Sequence, residues 1–191
     1  MITQKVSIIG SASGKGIKDR ENLLNKGTWQ KICETVENYI STNVNGNWSR
    51  IHLVSGGAAW CDHVAVYLYF LHPDAQLTLH FPCKWDFDKK QFIDNGKNHW
   101  TTNPGRTANK HHQSFQKKIG QNTFHQLQKA IDNGAKIYDH YIGFHDRNSA
   151  VASCDYLIAM TFFDGPEPNG GGTWDTWKKS QCTKKIHFTI K

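Results

Sequence analysis

Three short segments of the chain combine glycine with hydroxyl side chains, at residues 10–16, 55–58 and 169–173, and each follows a strand-like apolar run. A glycine after a strand allows the backbone to approach a phosphate closely, and the amide groups of the next helical turn then donate to the anion. The three segments together predict a site for a nucleotide or nucleotide-derived ligand. Its expected ligand-binding residues are Gly10, Ser11, Ser13, Lys15, Ser55, Gly56, Gly57, Gly171, Gly172 and Thr173.

Several other kinds of site are excluded by spacing. The first glycine segment lacks the GxxxxGK[ST] pattern of P-loop ATPases and the full GxGxxG pattern of dinucleotide-binding dehydrogenases. The five cysteines form no CxxC pair, and the eleven histidines form no HxxxH or HExxH pair. The sequence therefore predicts no metal site and no cofactor, and the cysteines are expected to be small buried hydrophobic residues.

Short apolar runs alternate with helical patterns along most of the chain. Apolar residues three and four apart predict an amphipathic helix over residues 29–40, and the mostly apolar segment 58–71 predicts a helix packed on a sheet. This alternation predicts an α/β fold, a Rossmann-like three-layer sandwich with a mainly parallel sheet, in one domain spanning residues 1–191. The strand-like runs lie at residues 6–9, 51–54, 77–81, 156–162 and 185–190.

The alternation stops at residues 86–134, which we interpret as an insertion within the domain. Its first part is polar, aromatic and rich in turn signals, and its second part has helical spacing interrupted near Gly120. A loop followed by a bent helix or two short helices is expected. Because the insertion follows the carboxyl end of a strand, it is either a lid over the site or a packing appendage. Trp85, at its entrance, is expected either to stack on a ligand base or to pack in the core.

The net charge of +7 favours anionic partners, but the basic residues are dispersed and no run of five occurs. Lysines interleaved with aromatic residues in the insertion leave nucleic acid as a less favoured partner. No apolar stretch approaches the roughly 20 residues that a membrane span needs, and the chain opens without a signal-peptide pattern. We therefore expect a cytoplasmic protein with no membrane partner.

Four segments of the sequence, in order, resemble the SLOG superfamily, which is named after the Smf/DprA and LOG proteins. Residues 55–62, SGGAAWCD, are similar to its SGGAxGAD motif, and residues 80–85, HFPCKW, resemble the FPAxW stretch of the YspA-type branch. Residues 144–159 look like a further segment of the family, which has an RN pair near its start and an Asp followed by a strand at its end. Here the pair is Arg147 and Asn148, and the Asp is Asp155. Residues 171–176, GGTWDT, resemble its final glycine loop. The resemblance covers most of the chain outside the insertion.

The resemblance implies a Rossmann-like sheet that binds nucleotides, and it adds Pro82, Trp85, Asn148 and Thr176 to the expected ligand contacts. In the LOG branch it also implies hydrolysis of a nucleotide N-glycosidic bond by an arginine and a glutamate. Arg147 matches the arginine, whereas Thr176 stands where the glutamate is expected. A hydroxyl cannot act as a carboxylate does in this chemistry. Asp175 and Asp62 are the alternative catalytic carboxylates.

Three functional hypotheses remain open from the sequence. The first is a protein that binds a nucleoside monophosphate, NAD or an ADP-ribose derivative and possibly cleaves or transfers at its N-glycosidic bond, as phosphoribohydrolases and deoxyribosyltransferases do. The second is a sensor or sponge that holds a nucleotide messenger without turnover. The third is a DprA-like nucleic-acid-binding module. The resemblance also implies a possible homodimer.

Overall fold

The structure, a computed structural model, describes residues 3–12 and 23–191. Ser13 and Lys15, two expected ligand contacts, lie outside the described residues. The strands, in chain order, are β1 (Gln4–Gly10), β2 (Ile51–Ser55), β3 (Gln76–His80), β4 (Trp85–Asp86), β5 (Gln91–Phe92), β6 (Lys136–Tyr138), β7 (Tyr156–Thr161) and β8 (Lys184–Thr189). The α-helices are α1 (Lys26–Tyr39), α2 (Val64–Leu71), α3 (Pro104–Ile119), α4 (Thr123–Asp132), α5 (Phe144–Val151) and α6 (Gly171–Lys179).

Six of the strands form one parallel sheet in the order β6-β3-β2-β1-β7-β8, and β4 pairs with β5 in a separate antiparallel hairpin. The chain builds outward from β1 to the β6 edge and then returns to place β7 on the other side of β1. The chain leaves β1 toward β2 and leaves β7 toward β8, on opposite sides in the sheet order. A crevice therefore opens beyond the carboxyl ends of β1 and β7. Crevices of this kind are where open α/β sheets bind ligands.

Helices cover both faces of the sheet, which confirms the predicted three-layer α/β sandwich. Ile8 of β1 belongs to a large core that includes α1, α2, α3 and α4, whereas the adjacent Ile9 packs with Val151 of α5 and Trp177 of α6. Neighbouring residues of a strand point to opposite faces, so this division assigns the two helix layers. All six residues of β7 are buried, as expected for a strand covered on both faces.

The second part of the insertion forms two helices, as the interrupted helical spacing predicts, whereas its first part, expected to be a loop, contains the hairpin of β4 and β5 that begins at Trp85. Helix α3 begins after Asn103, whose side chain accepts a hydrogen bond from the Arg106 amide, and ends at Gly120. Gly120 has a φ of 71°, the left-handed conformation that terminates many helices. Phe115 of α3 and Leu127 of α4 are fully buried in the large core. The insertion is thus part of the main core.

Trp85 is a core residue, so the structure does not support the expected contact with a ligand. Its ring packs on Phe81 and Phe92, with centroids 5.2 and 5.0 Å away. Its indole N–H donates to the Gln128 side chain at 2.9 Å, which satisfies the one polar atom of this buried ring.

Among the described residues, the helices are too short or too polar for any of them to cross a membrane.

Candidate functional site

A cavity of about 830 Å³ opens at the carboxyl ends of β1 and β7. Its floor is formed by the ends of these strands and the residues that follow, and its walls by the first turns of α5 and α6 and by part of the insertion. A volume of this size is within the range of cavities that hold small-molecule ligands. Most of the residues predicted for the site line it, namely Gly10, Ser11, Gly57, Asp62, Pro82, Arg147, Asn148, Gly171, Gly172, Thr173, Asp175 and Thr176.

Arg147 of α5 lies at the wall of the cavity and is almost completely buried. Its Nη1 atom is 3.3 Å from Oδ2 of Asp62, and the two side chains are 7% and 5% exposed. The buried Nε atom has no hydrogen-bond partner among the described residues. An unpaired donor on a buried guanidinium is energetically costly. The arrangement therefore places a cationic side chain at the wall of a ligand-sized cavity, with its Nε atom enclosed by protein.

Asp62 lies in a single 3₁₀ turn, Trp60–His63, that follows β2. Burial raises the pKa of Asp62, while the Arg147 guanidinium and hydrogen bonds from the Ala58 and Gly10 backbone act in the opposite direction. Burial likewise lowers the pKa of Arg147, and Asp62 opposes that effect. The two side chains thus compensate each other's loss of hydration, as buried ion pairs must.

Gly56 does not line the cavity, but it makes the ion pair possible. A Cβ atom at this position would overlap the guanidinium of Arg147 and lie 2.6 Å from Oδ2 of Asp62. The glycine that the sequence assigns to phosphate contact is therefore required by the close approach of an arginine to the backbone.

Ser55 is also outside the cavity lining, and its hydroxyl shapes the turn after β2. It donates to the Asp62 carbonyl at 2.8 Å and accepts from the Gly57 amide at 3.0 Å. Gly57 has a φ of 67°, and a Cβ atom there would overlap the Phe81 ring. The carbonyl of Gly57 in turn lies 3.0 Å from Nε2 of His112, a buried residue of α3 that supports this turn from behind the cavity lining.

The amino terminus of α6 points its first-turn amides at the cavity. Gly170 and Gly171 have φ values of 78° and 67°, so the chain enters the helix through left-handed backbone that favours glycine. Gly170 occupies the N-cap position and has no side chain with which to cap the helix. The first-turn amides have no acceptor within the helix, and the helix dipole makes this end attractive to anions.

Asp175 joins α5 to α6 and is held as a carboxylate. Its Oδ2 atom is 3.0 Å from Nδ2 of Asn148, 2.9 Å from Nζ of Lys179 and 3.2 Å from Nδ1 of His145. Burial acts to raise its pKa, but the hydrogen bonds from Lys179, Asn148 and His145 prevail and lower the pKa to about 2. Asp175 is therefore an ionised positioning group at neutral pH and not a proton donor.

The hydroxyl of Thr176 is used by its own helix. This buried side chain donates to the Gly172 carbonyl at 3.0 Å, one turn earlier. Position 176 therefore has a hydroxyl where the resemblance to the SLOG superfamily leads us to expect the carboxylate of a glutamate.

The mouth of the cavity is aromatic. Trp100 of the insertion lies with its ring centroid 6.3 Å from that of Phe144 and 5.9 Å from that of His145. Phe163 and Trp174 line the cavity as well. Trp100 and His111 of the insertion line the cavity, while other residues of the insertion pack in the core. The described residues contain no cluster of histidine, cysteine and acidic side chains able to hold a metal ion.

Comparison with known proteins adds one relative. No family model matches the chain, and no solved structure matches it. An uncharacterized protein of Acanthamoeba polyphaga mimivirus is 34% identical over 188 residues, which cover 97% of this chain and 96% of that protein. Similarity of this level along the whole length places both chains in one family, and the protein belongs to the family of this mimivirus protein.

Proposed function

We propose that the protein binds a nucleotide-derived small molecule, of the nucleoside monophosphate, NAD or ADP-ribose type, in the cavity beyond β1 and β7. The observation that carries the proposal is the guanidinium of Arg147, a nearly buried cation that lines the wall of the cavity. A phosphate is an acceptor that matches a guanidinium in both charge and geometry. The resemblance to the SLOG superfamily agrees with this assignment.

Two further features support the same class of ligand. The uncapped amino terminus of α6 offers a second group of donors for a phosphate. The aromatic mouth, with Trp100 44% exposed, offers a ring face on which a base can stack. The donors on one wall match the phosphate of a nucleotide, and the aromatic rings at the entrance match its base.

The acidic residues at the site favour binding without turnover over cleavage of the ligand. Cleavage of an N-glycosidic bond uses a carboxylate that stabilises the sugar cation or activates water. Asp175 is already bonded to three side chains, and Thr176 supplies only a hydroxyl. Hydrolysis or transfer is the second candidate, and it depends on Asp62, a carboxylate that lines the cavity.

The first test is calorimetry of the full chain with a panel of nucleoside monophosphates, NAD and ADP-ribose. We expect saturable binding of at least one of these compounds. Trp100→Ala should weaken that binding by about 1–3 kcal/mol, the usual contribution of stacking one base on an aromatic ring. Phe87→Ala is the matched control, because Phe87 is an exposed aromatic residue of the same insertion that does not line the cavity.

Chromatography of the same mixtures distinguishes the alternatives. Ligand recovered intact supports the sensor or sponge, and released base supports the hydrolase. A protein that binds none of the panel but binds oligonucleotides, with an affinity that falls steeply as salt rises, is a nucleic-acid-binding module, and the proposal is then wrong.

A further inference from the structure

Two cysteines that are distant in sequence lie side by side on the α5–α6 face of the sheet. Cys154 follows α5 and Cys182 follows α6, and their Sγ atoms are 4.0 Å apart. Both side chains are partly exposed, and neither forms a disulfide. This differs from the expectation that all five cysteines are buried hydrophobic residues, because the exposure and proximity of two cysteines depend on tertiary packing and cannot be read from their spacing.

The surroundings of the pair differ from those of the other three cysteines. Cys33 and Cys61 are buried in the large core, and burial raises the pKa of both thiols. Cys83 approaches the backbone carbonyl of Ile93 at 3.9 Å. Among the described residues, Cys154 and Cys182 are the two cysteines whose Sγ atoms are in contact with each other.

We propose that Cys154 and Cys182 form an oxidation site, at which a small-molecule disulfide converts the two thiols into an intramolecular disulfide bond. The Cys182 thiolate attacks the reagent, forms a mixed disulfide and expels one thiolate. The Cys154 thiolate then attacks the Cys182 sulfur, and the second reagent thiolate leaves. The protein loses two electrons and two protons, and the reagent is reduced to two thiols.

The order of the two steps follows from exposure and from thiol acidity. The Cys182 thiol is partly exposed, so a reagent can reach it, and it donates to the Lys184 carbonyl at 3.8 Å. Burial raises the pKa of Cys154 to about 11, with smaller effects from nearby Ser7, Cys182 and Ser180. A thiol that ionises with difficulty is a poor attacker of a dissolved reagent, but it can resolve a mixed disulfide that is already beside it.

The two sulfur atoms are close enough for the bond to form with little movement of the side chains. Both cysteines lie in connections between helices and strands, outside any regular element. Sulfur atoms in a disulfide are about 2.05 Å apart, so each side chain must move only a short distance. Ser180 lies against both, with Oγ 3.8 Å from Sγ of Cys154 and 3.4 Å from the Cys182 amide.

The bond would connect the ends of two helices that form one wall of the cavity. Cys154, Cys182 and Trp174 pack against the same small core cluster, which contains Val151 of α5 and Trp177 of α6. Trp174 also lines the cavity. Closure therefore fixes α5 and α6 to each other at their carboxyl ends, opposite the ends that face the cavity.

The test is oxidation of the native full chain by 2-hydroxyethyl disulfide, followed by alkylation under denaturing conditions and peptide mapping. We expect a linked Cys154–Cys182 peptide pair, two fewer alkylated thiols and reversal by dithiothreitol. The pair should form about tenfold faster in the native protein than in urea, because folding raises the effective concentration of one thiol at the other. Absence of the linked pair from the native protein, or an equal rate in urea, overturns the proposal.

Three variants assign the steps without depending on the proposed ligand. Cys154→Ser should stop at a mixed disulfide on Cys182, and Cys182→Ser should yield neither a linked pair nor a rapid mixed disulfide. Cys83→Ser, which removes a partly exposed cysteine outside the pair, should oxidise as the unmodified protein does. A rapid mixed disulfide on Cys154 in the Cys182→Ser variant, the absence of a mixed disulfide on Cys182 in the Cys154→Ser variant, or loss of the linked pair in the Cys83→Ser variant contradicts the assignment.

Discussion

The buried pair of Arg147 and Asp62 combines two roles in one contact. Each side chain compensates the other's charge inside the protein, and Arg147 also lines the cavity. Removing one partner leaves an uncompensated buried charge, which is strongly destabilising. Stability and the proposed ligand binding therefore depend on the same residue, and a single substitution cannot separate them.

A double-mutant cycle does separate them. We expect Arg147→Met to lower the free energy of unfolding by about 3–5 kcal/mol, because Asp62 remains buried without its cation. Adding Asp62→Asn should restore most of that loss, since a neutral amide carries no charge to compensate. The measurement is urea denaturation of the two single variants and the double variant, with calorimetry of the proposed ligands on the folded double variant.

One outcome of the cycle would contradict the coupling of the two side chains, and another would contradict the contact between Arg147 and the ligand. Additive losses in the double variant would mean that the two side chains are not coupled. A double variant that is stable and binds a nucleotide as tightly as the unmodified protein would mean that Arg147 does not contact the ligand.

The residue scale also shows what the sequence could not predict. Glycine at position 56 is typical of a phosphate-binding loop, and the sequence assigns it that contact. In the structure an arginine from a distant helix fills the space above it. Which side chain approaches a glycine depends on the tertiary arrangement of strands and helices, and local spacing contains no information about that approach.

At the scale of elements, buried histidines connect the insertion to the rest of the domain. His112 of α3 lies within hydrogen-bond distance of the Gly57 carbonyl and of the Thr123 hydroxyl, both at 3.0 Å. His63, in the turn after β2, is 2.8 Å from the Gln126 side chain of α4. Burial lowers the pKa of His112 to about 3 and that of His63 to about 4. Both are therefore neutral in the folded protein at neutral pH.

Because of these histidines, we expect stability to fall as the pH decreases from about 6.5 to about 4. In this window the unfolded chain binds protons that the folded protein excludes, so acid favours the unfolded state. Each buried histidine should contribute a slope on the order of 1 kcal/mol per pH unit. The measurement is the free energy of unfolding in urea at several pH values, and above pH 7 the histidine contribution should be fully present and constant.

His112→Gln is the variant that tests this assignment. Its amide can still donate to the Gly57 carbonyl but cannot take up a proton, so the slope should decrease by the share of one histidine. An unchanged slope in this variant would show that His112 does not cause the acid sensitivity.

The elements themselves were predictable to different degrees. The helical spacing of residues 29–40 agrees with α1, and the interruption at Gly120 agrees with the break between α3 and α4. The predicted helix over residues 58–71 begins only at Val64, because the chain first makes a 3₁₀ turn in which Trp60 has a φ of 61°. Strand β6 has three residues, too few for a periodic pattern to be recognised.

For the whole molecule, the position of the cavity follows from topology. The sheet order places the switch in direction between β1 and β7, and residues 10–12 and 169–173 line the cavity there. The sequence predicts parallel strands with ligands at their carboxyl ends, but it does not predict strand order. The order depends on where each crossover packs, and that choice requires the whole core.

The insertion and the sheet share one hydrophobic core, so the chain should unfold as a single unit. Phe115 of α3 packs between Trp29 of α1 and Trp60, with ring centroids 4.9 and 4.4 Å away. An insertion with an independent core would instead unfold in a transition of its own. We expect tryptophan fluorescence and far-ultraviolet circular dichroism to give coincident urea transitions, as in two-state unfolding.

Phe115→Ala tests whether this contact couples the insertion to the sheet. The substitution removes a fully buried ring and should lower the free energy of unfolding by about 3–5 kcal/mol. Because the core is continuous, both probes should shift together. Phe87→Ala, an exposed aromatic residue of the same insertion, should leave both transitions nearly unchanged. A Phe115→Ala protein in which the transitions separate would show that residues 86–134 unfold independently, and the domain would then consist of two cooperative units.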